Sequence, residues 1–319
     1  MMVNTEAIIR HALQEGIKIT LLVNKIDRLI LELRIKPTDA YYKIKHTIEE
    51  INTFIRSARF HGQGNRAHHS GNSGIDPDPE LRLSPENGNV AFGSTDMAWC
   101  FTLRSFAQMY ADTYGSLDAS AFADRLWGDI YFNNETRKFA RKASDPERSR
   151  TFVHFILDPL YKLYSHVLSE ETDDLKRTLA SLNITLKPVM YKMDVRPLLK
   201  VVLDQFFGPA TGLVDMIVEH IPSPVAGAPI KVERTYTGPQ TSELATSMKA
   251  CDAEGPLMVQ ITKLYHTTDA QSFRAFGRVL SGTLRKDVQV KVLGEGYSPE
   301  DEEDMVKPTV EGLWISESR

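Results

Sequence analysis

The first 57 residues switch between two hydrophobic periods. In "MMVNTEAIIRHALQEG" the apolar positions recur at helical spacing, with Asn4 or Thr5 as the expected cap and Gly16 as the stop. The next run, Ile17-Lys18-Ile19-Thr20-Leu21-Leu22-Val23, is β-rich and lacks clean alternation, as expected of a strand buried on both faces. It stops abruptly at Asn24-Lys25-Ile26-Asp27. A second amphipathic helix follows Pro37-Thr38-Asp39, with Tyr41, Ile44, Ile48, Ile51 and Ile55 along one stripe. Helix, strand and helix in this order predict the βα alternation of a parallel-sheet α/β domain.

Farther along, Val90-Ala91-Phe92 reads as a short strand ending at Gly93-Ser94-Thr95, and "FTLRSFAQMYADTYG" as the helix after it. Residues 116–190 read as helical with short breaks: "ASAFADRLWGDIYF", "TFVHFILDPLYKLYSHVL", "DDLKRTLASLNI". Two more amphipathic helices follow, "VRPLLKVVLDQFF" and "GLVDMIVEHIPSP", the second closed by Pro222 and Pro224. After Pro229 the pattern becomes short, partly alternating segments, "GPLMVQITKL", "FGRVLSGTL" and "VQVKVLG", which predict a small antiparallel barrel. One stretch fits neither period. Ala58 to Gly88 is rich in Gly, Ser, Asn, His and Pro, and its polarity predicts a flexible surface insertion.

Composition changes this picture little. The 319 residues are 42% apolar and 25% charged, ordinary for a globular chain with room for two or three domains. The net charge of -4 argues against a generally nucleic-acid-coating surface. The basic segment from Arg137 to Arg150 reads first as a solvated loop and, as the alternative, as a contact for RNA phosphates. Cys100 and Cys251 offer neither a disulfide framework nor a thiolate metal spacing. His61, His68 and His69 have no carboxylate or thiol at ligand spacing, so no metal site is expected. No apolar run approaches the length of a membrane span, and the first residues lack the layout of a signal peptide, so a nuclear or cytoplasmic setting is expected.

The candidate chemistry lies at the end of the first strand. In an open α/β sheet the C-terminal ends of the parallel strands present the ligand groups. Guanine carries two adjacent donors, its ring imino and exocyclic amino groups, and the single carboxylate of Asp27 can accept both. Adenine has no such pair and would leave a buried carboxylate unsatisfied, at about 1–3 kcal/mol or more. The stem of Lys25 can cover a face of the base, Asn24 can brace the loop, and Ile26 is expected to pack inward. The second strand end, at Gly93 and Ser94, fits a backbone contact to the guanine carbonyl. What a GTPase needs for phosphates is missing. None of the 19 glycines is followed by lysine, so there is no Gly-x-x-x-x-Gly-Lys phosphate loop. The two Asp-x-x-Gly matches, Asp112 to Gly115 and Asp252 to Gly255, follow the guanine motif instead of preceding it. The expectation is a chain that begins about two-thirds of the way through a nucleotide-binding domain.

"NKIDRLILEL", "NVAFGS", "FTLRSFAQMYADTYG", "RLWGDIYFN", "FILDPLYKLY", "HIPSP", "GPLMVQITK" and "FGRVLSGTL" resemble, in order, the elongation-factor-two class of translational GTPases. "PTDAYYKIKHTIEEIN", "VLGEGYSPEDEED" and "GLWIS" resemble its spliceosomal branch, the GTPase components of the U5 small nuclear ribonucleoprotein. The resemblance implies the C-terminal part of a Ras-like P-loop-NTPase-type G domain over residues 1–101, including the insertion 58–88. It further implies a helical inserted subdomain over 102–190, a return to the G domain over 191–222, and an incomplete translation-factor β-barrel over 226–319. It assigns guanine contacts to Asn24, Lys25 and Asp27, with Ser94, Thr95 and Asp96 as the adjoining base-side loop, although "GSTD" departs from the usual relatives there. It implies GTP or GDP as cofactor, with magnesium and phosphate ligands outside this chain, and no catalytic residue within it. It also implies spliceosome proteins and small nuclear RNA as partners, no membrane or DNA, and a nuclear location. The function expected is guanine recognition in pre-mRNA splicing. The alternatives are a translation or ribosome-assembly GTPase fragment and a binding module without turnover.

Overall fold

The β-rich run before Asn24 yields less strand than its pattern suggests: β1 is only Leu21–Val23. The computed structural model describes residues 1–62, 82–115, 118–142, 148–298, 300 and 303–316. In it β1 pairs in parallel with β2 (Val90–Ser94), Leu21 opposite Val90 and Val23 opposite Phe92. A parallel pair needs a crossover, and α2 (Asp27–Leu31) and α3 (Pro37–Gly62) lie between the two strands in the chain. β2 then turns back into an antiparallel β3 (Trp99–Phe101), a strand too short for the sequence pattern to reveal. All five residues of the central β2 are buried. β1 is partly exposed, not covered on both faces as its sequence implied, because it forms the edge of the sheet.

Ahead of this sheet, α1 (Val3–Gln14) packs on α3. It starts at Met2 without a side-chain cap, earlier than the expected Asn4 or Thr5, and the amino terminus is held by Glu50. After the sheet, α4 (Leu103–Tyr114) opens on a capping box in which Thr102 and Ser105 accept each other's backbone N–H. The helix expected through "DRLWGDIYF" is a correction. α5 stops after Ala119–Ala123, and an antiparallel ribbon follows, β4 (Tyr131–Asn133) and β5 (Lys138–Ala140). Gly128, at φ 89°, takes a backbone turn no helix continues through. The Asn133 side chain then accepts the N–H groups of Glu135 and Thr136 to build the ribbon's turn. A π-helical turn, Val153–Leu157, leads into α6 (Asp158–Ser169), and α7 (Thr172–Ser181), α8 (Val195–Phe207) and α9 (Thr211–His220) complete this part. Residues 102–190 share its core: the Phe92 ring from β2 lies 5.6 Å from Trp127 and 5.1 Å from Phe152.

Most of the polar insertion, residues 63–81, lies outside the described residues, and with it His68 and His69. Its flanks are ordered. α3 runs on to Gly62, and Leu83 is buried because Asn52, on the inner face of α3, both donates to its carbonyl (2.8 Å) and accepts from its N–H (2.9 Å). A buried asparagine satisfying one residue's backbone twice is a tertiary contact that composition cannot signal.

By contact density the chain divides into two units, Met1–Ile221 and Pro222–Arg319. The second unit corrects the expectation of β structure from Pro229 onward. Pro224 opens α10 (Pro224–Thr235) as a first-turn residue, where its missing N–H costs nothing, and Ser223 caps it by accepting from Ala226 N–H. α11 (Glu243–Ala250) follows. Strands begin only at β6 (Met258–His266), which pairs antiparallel with β7 (Phe273–Ser281) through two register shifts. A short pair, β8 (Val292–Leu293) with β9 (Met305–Val306), completes the unit. Ile261, Leu264, Phe273 and Phe276 on the long hairpin are exposed.

Candidate functional site

The loop leaving β1 is bound to the turn leaving β2 by one side chain. Asn24 Oδ1 accepts from Lys25 N–H at 2.7 Å and from Thr95 N–H at 3.0 Å, while its Nδ2 donates to Thr95 Oγ1 at 3.0 Å. An amide, with both donor and acceptor, can do this where a carboxylate cannot. Lys25 sits at φ 63°, a left-handed conformation uncommon for a residue with a side chain, and its side chain is exposed. Ile26 is 2% exposed and donates its N–H to the Gly93 carbonyl at 3.2 Å. On its other side Gly93 pairs with Cys100 of β3. A Cβ on Gly93 would stand 2.6 Å from the Trp99 carbonyl oxygen, so only glycine fits there.

Asp27 is the first residue of α2, four positions past the end of β1, and is 6% exposed. Its Oδ1 is buried and has no hydrogen-bond partner among the described residues. An acceptor in that state forfeits about 1–3 kcal/mol or more, since it gave up water without a replacement. A ligand presenting donors would recover that energy.

The base-side residues have divided roles. The Ser94 side chain is fully buried and its hydroxyl accepts from Met97 N–H at 3.2 Å, so it shapes the turn. Thr95 is engaged by Asn24 through both its N–H and its hydroxyl. The Asp96 carboxylate pairs with Arg196 at the start of α8. Arg196 was not signalled by the sequence: it lies a hundred positions away and carries no motif, and only the packing of α8 brings it here. The floor is equally remote. Trp99 Nε1 donates to Tyr164 Oη at 3.2 Å, and burial, reinforced by the charges of Asp27 and Asp96, pushes the Tyr164 phenol well above its usual range, so it stays protonated.

The six expected residues thus lie at the C-terminal ends of two neighbouring parallel strands, with Asp27 unsatisfied among the described residues and Lys25 exposed beside it. The two Asp-x-x-Gly matches serve local structure. Asp112 is on α4 with Gly115 as its C-cap, and Asp252 accepts from Glu254 N–H in the turn after α11. Among the described residues no group of three or more His, Cys, Asp or Glu could hold a metal ion.

No protein-family model matches the chain. Over 320 aligned residues it is 48% identical to the "110 kDa U5 small nuclear ribonucleoprotein component CLO" of Arabidopsis thaliana, covering 100% of this chain and 31% of that protein. It is also 48% identical over 320 residues to the "109 kDa U5 small nuclear ribonucleoprotein component GFL" of the same plant, with 100% and 31% covered. With the "Pre-mRNA-splicing factor cwf10" of Schizosaccharomyces pombe the identity is 46% over 308 residues, 96% of this chain and 30% of that one. The chain therefore spans about a third of the length of the curated relatives it matches, 31% in the first case.

Proposed function

The chain is, over its whole length, a homologue of a segment of U5 small nuclear ribonucleoprotein components, and from that premise we propose that it carries the guanine-recognition part of a nuclear GTP-binding protein acting in pre-mRNA splicing. In this reading Met1–Ile221 is the later part of a Ras-like G domain with its helical insertion, and the β structure from Met258 onward belongs to a translation-factor-type barrel. Spliceosome proteins and small nuclear RNA are its partners.

The observation that carries the reading is the buried Oδ1 of Asp27, without a partner among the described residues, beside a loop braced by Asn24. The residues present fit a guanine base. Asp27 accepts the imino and amino protons together, the Lys25 stem covers the ring, and the Asp96 backbone N–H, which makes no hydrogen bond among the described residues, is free to meet the guanine carbonyl. GTP or GDP would bring the phosphates and magnesium. No glycine-lysine pair in this sequence supplies a cradle for them, so guanine contacts alone set the affinity and the chain turns over no GTP by itself.

Calorimetric titration with GDP tests this. Binding weaker than micromolar is expected, since about 8 kcal/mol is needed for micromolar affinity and the phosphate share is absent. Asp27→Asn should shift preference from guanosine to xanthosine diphosphate. Xanthine presents one donor beside one carbonyl, and an asparagine amide matches that pair where a carboxylate does not. An unchanged preference would refute the role of Asp27. Single-turnover GTP hydrolysis by the chain, abolished in Asp27→Asn, would refute the absence of turnover.

A further inference from the structure

Away from the guanine loop, the β4–β5 ribbon gathers positive charge that no ion pair among the described residues neutralises. The six residues Arg137–Lys142 hold four cations and no carboxylate, in a chain whose net charge is -4. The register pairs Phe132 with Phe139, and both rings turn inward, 5.1 and 6.3 Å from Phe155. Strand alternation then puts Tyr131, Asn133, Lys138 and Ala140 on the opposite face. Arg137, Lys138, Arg141 and Lys142 are exposed, and none makes an ion pair among the described residues.

The face continues beyond β4. Arg150 bridges to Tyr131, and its guanidinium lies 4.8 Å from the Tyr42 ring and 5.6 Å from the Tyr131 ring. Asp129, the carboxylate at this place, accepts from Arg150 at 2.8 Å and pairs with Lys45 at 3.9 Å, and the hydrogen bond from Arg150 holds its carboxyl below the usual range. Glu135 sits in the ribbon's turn. The result is a run of cations that have no ion-pair partner among the described residues, leading to a pair of tyrosines, with Tyr42 48% exposed.

We propose that the exposed side of this ribbon binds the phosphate backbone of single-stranded RNA, Lys138 on the outward face and Arg137, Arg141 and Lys142 in the turn and bend flanking it meeting phosphates, and Tyr42 offering its ring to a base. Cations alone would suit any polyanion. Aromatic rings beside them favour a nucleic acid over an acidic peptide, because every base has a face that stacks. The choice of RNA over DNA rests on the splicing reading above; the phosphate contact does not.

Fluorescence anisotropy of a labelled oligouridylate with the whole chain, over a salt series, tests it. With about four phosphates neutralised, log affinity should fall with log salt at a slope of about -3. Lys138→Glu with Arg141→Glu should weaken binding at least about tenfold and flatten the slope by about 1.4. Tyr42→Ala should weaken it several-fold with the slope unchanged. The charge-matched pair Lys187→Glu with Lys200→Glu, exposed elsewhere on the first unit, should change little. Equal loss in that control, or no saturable binding by the unaltered chain, would overturn the proposal. Displacement by polyglutamate as effective as by unlabelled RNA would transfer the face to an acidic protein partner. Circular dichroism checks that each variant folds. GDP titration of the Lys138/Arg141 variant, which leaves Asp27 untouched, separates failure here from failure of the guanine reading.

Discussion

The tripeptide Ala-Phe-Gly occurs in two strands of this protein, at Ala91-Phe92-Gly93 in β2 and Ala275-Phe276-Gly277 in β7. Locally the two are alike. In each, a Cβ on the glycine would collide with a carbonyl oxygen of the paired strand, Trp99 at 2.6 Å and Gln260 at 2.7 Å. Their surroundings are opposite. Phe92 is 0% exposed, between β3, Trp127 and Phe152, whereas Phe276 is 43% exposed on a hairpin. The same residues specify close strand pairing in both places, but burial belongs to the elements that pack around the strand.

The largest expected effect follows directly. Phe92→Ala should cost about 3–5 kcal/mol by removing a ring from a closed core, and Phe276→Ala less than about 1 kcal/mol. Comparable shifts in urea midpoint for the two variants would break the comparison. Next in size, Gly93→Ala and Gly277→Ala should each cost about 1–3 kcal/mol, since backbone must move in both. Only Gly93→Ala should also disturb the guanine loop, through the Ile26 N–H to Gly93 carbonyl bond, and GDP titration of both variants would show whether that is so. Asn24→Ala removes the hydrogen bonds joining the two site loops and should cost about 1 kcal/mol, read out as faster hydrogen exchange at the Thr95 amide.

The smallest effect concerns pH and is confined to the first unit. Burial lowers the His154 pKa below its ordinary 6.5, against the opposing pull of Asp158. The unfolded chain then binds more protons than the folded one between the two values. The stability that His154 contributes is therefore fully present above 6.5 and lost as pH falls toward its folded value. Asp158 acts in the opposite sense. Burial raises its pKa above 3.8, so its contribution grows as pH falls through that raised value. Following the His154 ring protons by NMR between pH 8 and 5 should show a midpoint below 6.5, and a midpoint above it would remove the burial argument.

Legibility differed by kind of element. α3, α4 and α8 were readable because long stripes of apolar residues average out local noise, as with Ile44, Ile48 and Ile51. The ribbon β4–β5 and strand β3 were not, because three residues cannot establish a period. α10 was misread because proline at a first turn and proline at a helix end look identical until the Ser223 cap is seen. At the candidate site, Asn24, Lys25 and Asp27 stood out because a polar cluster ended an apolar run, and Gly93 to Asp96 because a second apolar run ended likewise. Arg196 and Tyr164 gave no such signal.

What the sequence alone determined is the local grammar: helical stripes, the abrupt polar end of β1, the absence of any glycine-lysine phosphate loop, and the block of four cations after Asn133. The tertiary structure decided which of those features meet. It joined Asn24 to Thr95, buried Asp27 without a partner among the described residues, occupied Asp96 with Arg196, and turned Lys138 of the ribbon outward by turning Phe132 and Phe139 in. The reason is range. Periodicity and capping act over one or two turns of chain, whereas desolvation and hydrogen-bond satisfaction depend on every residue that folding brings near, however far apart in sequence.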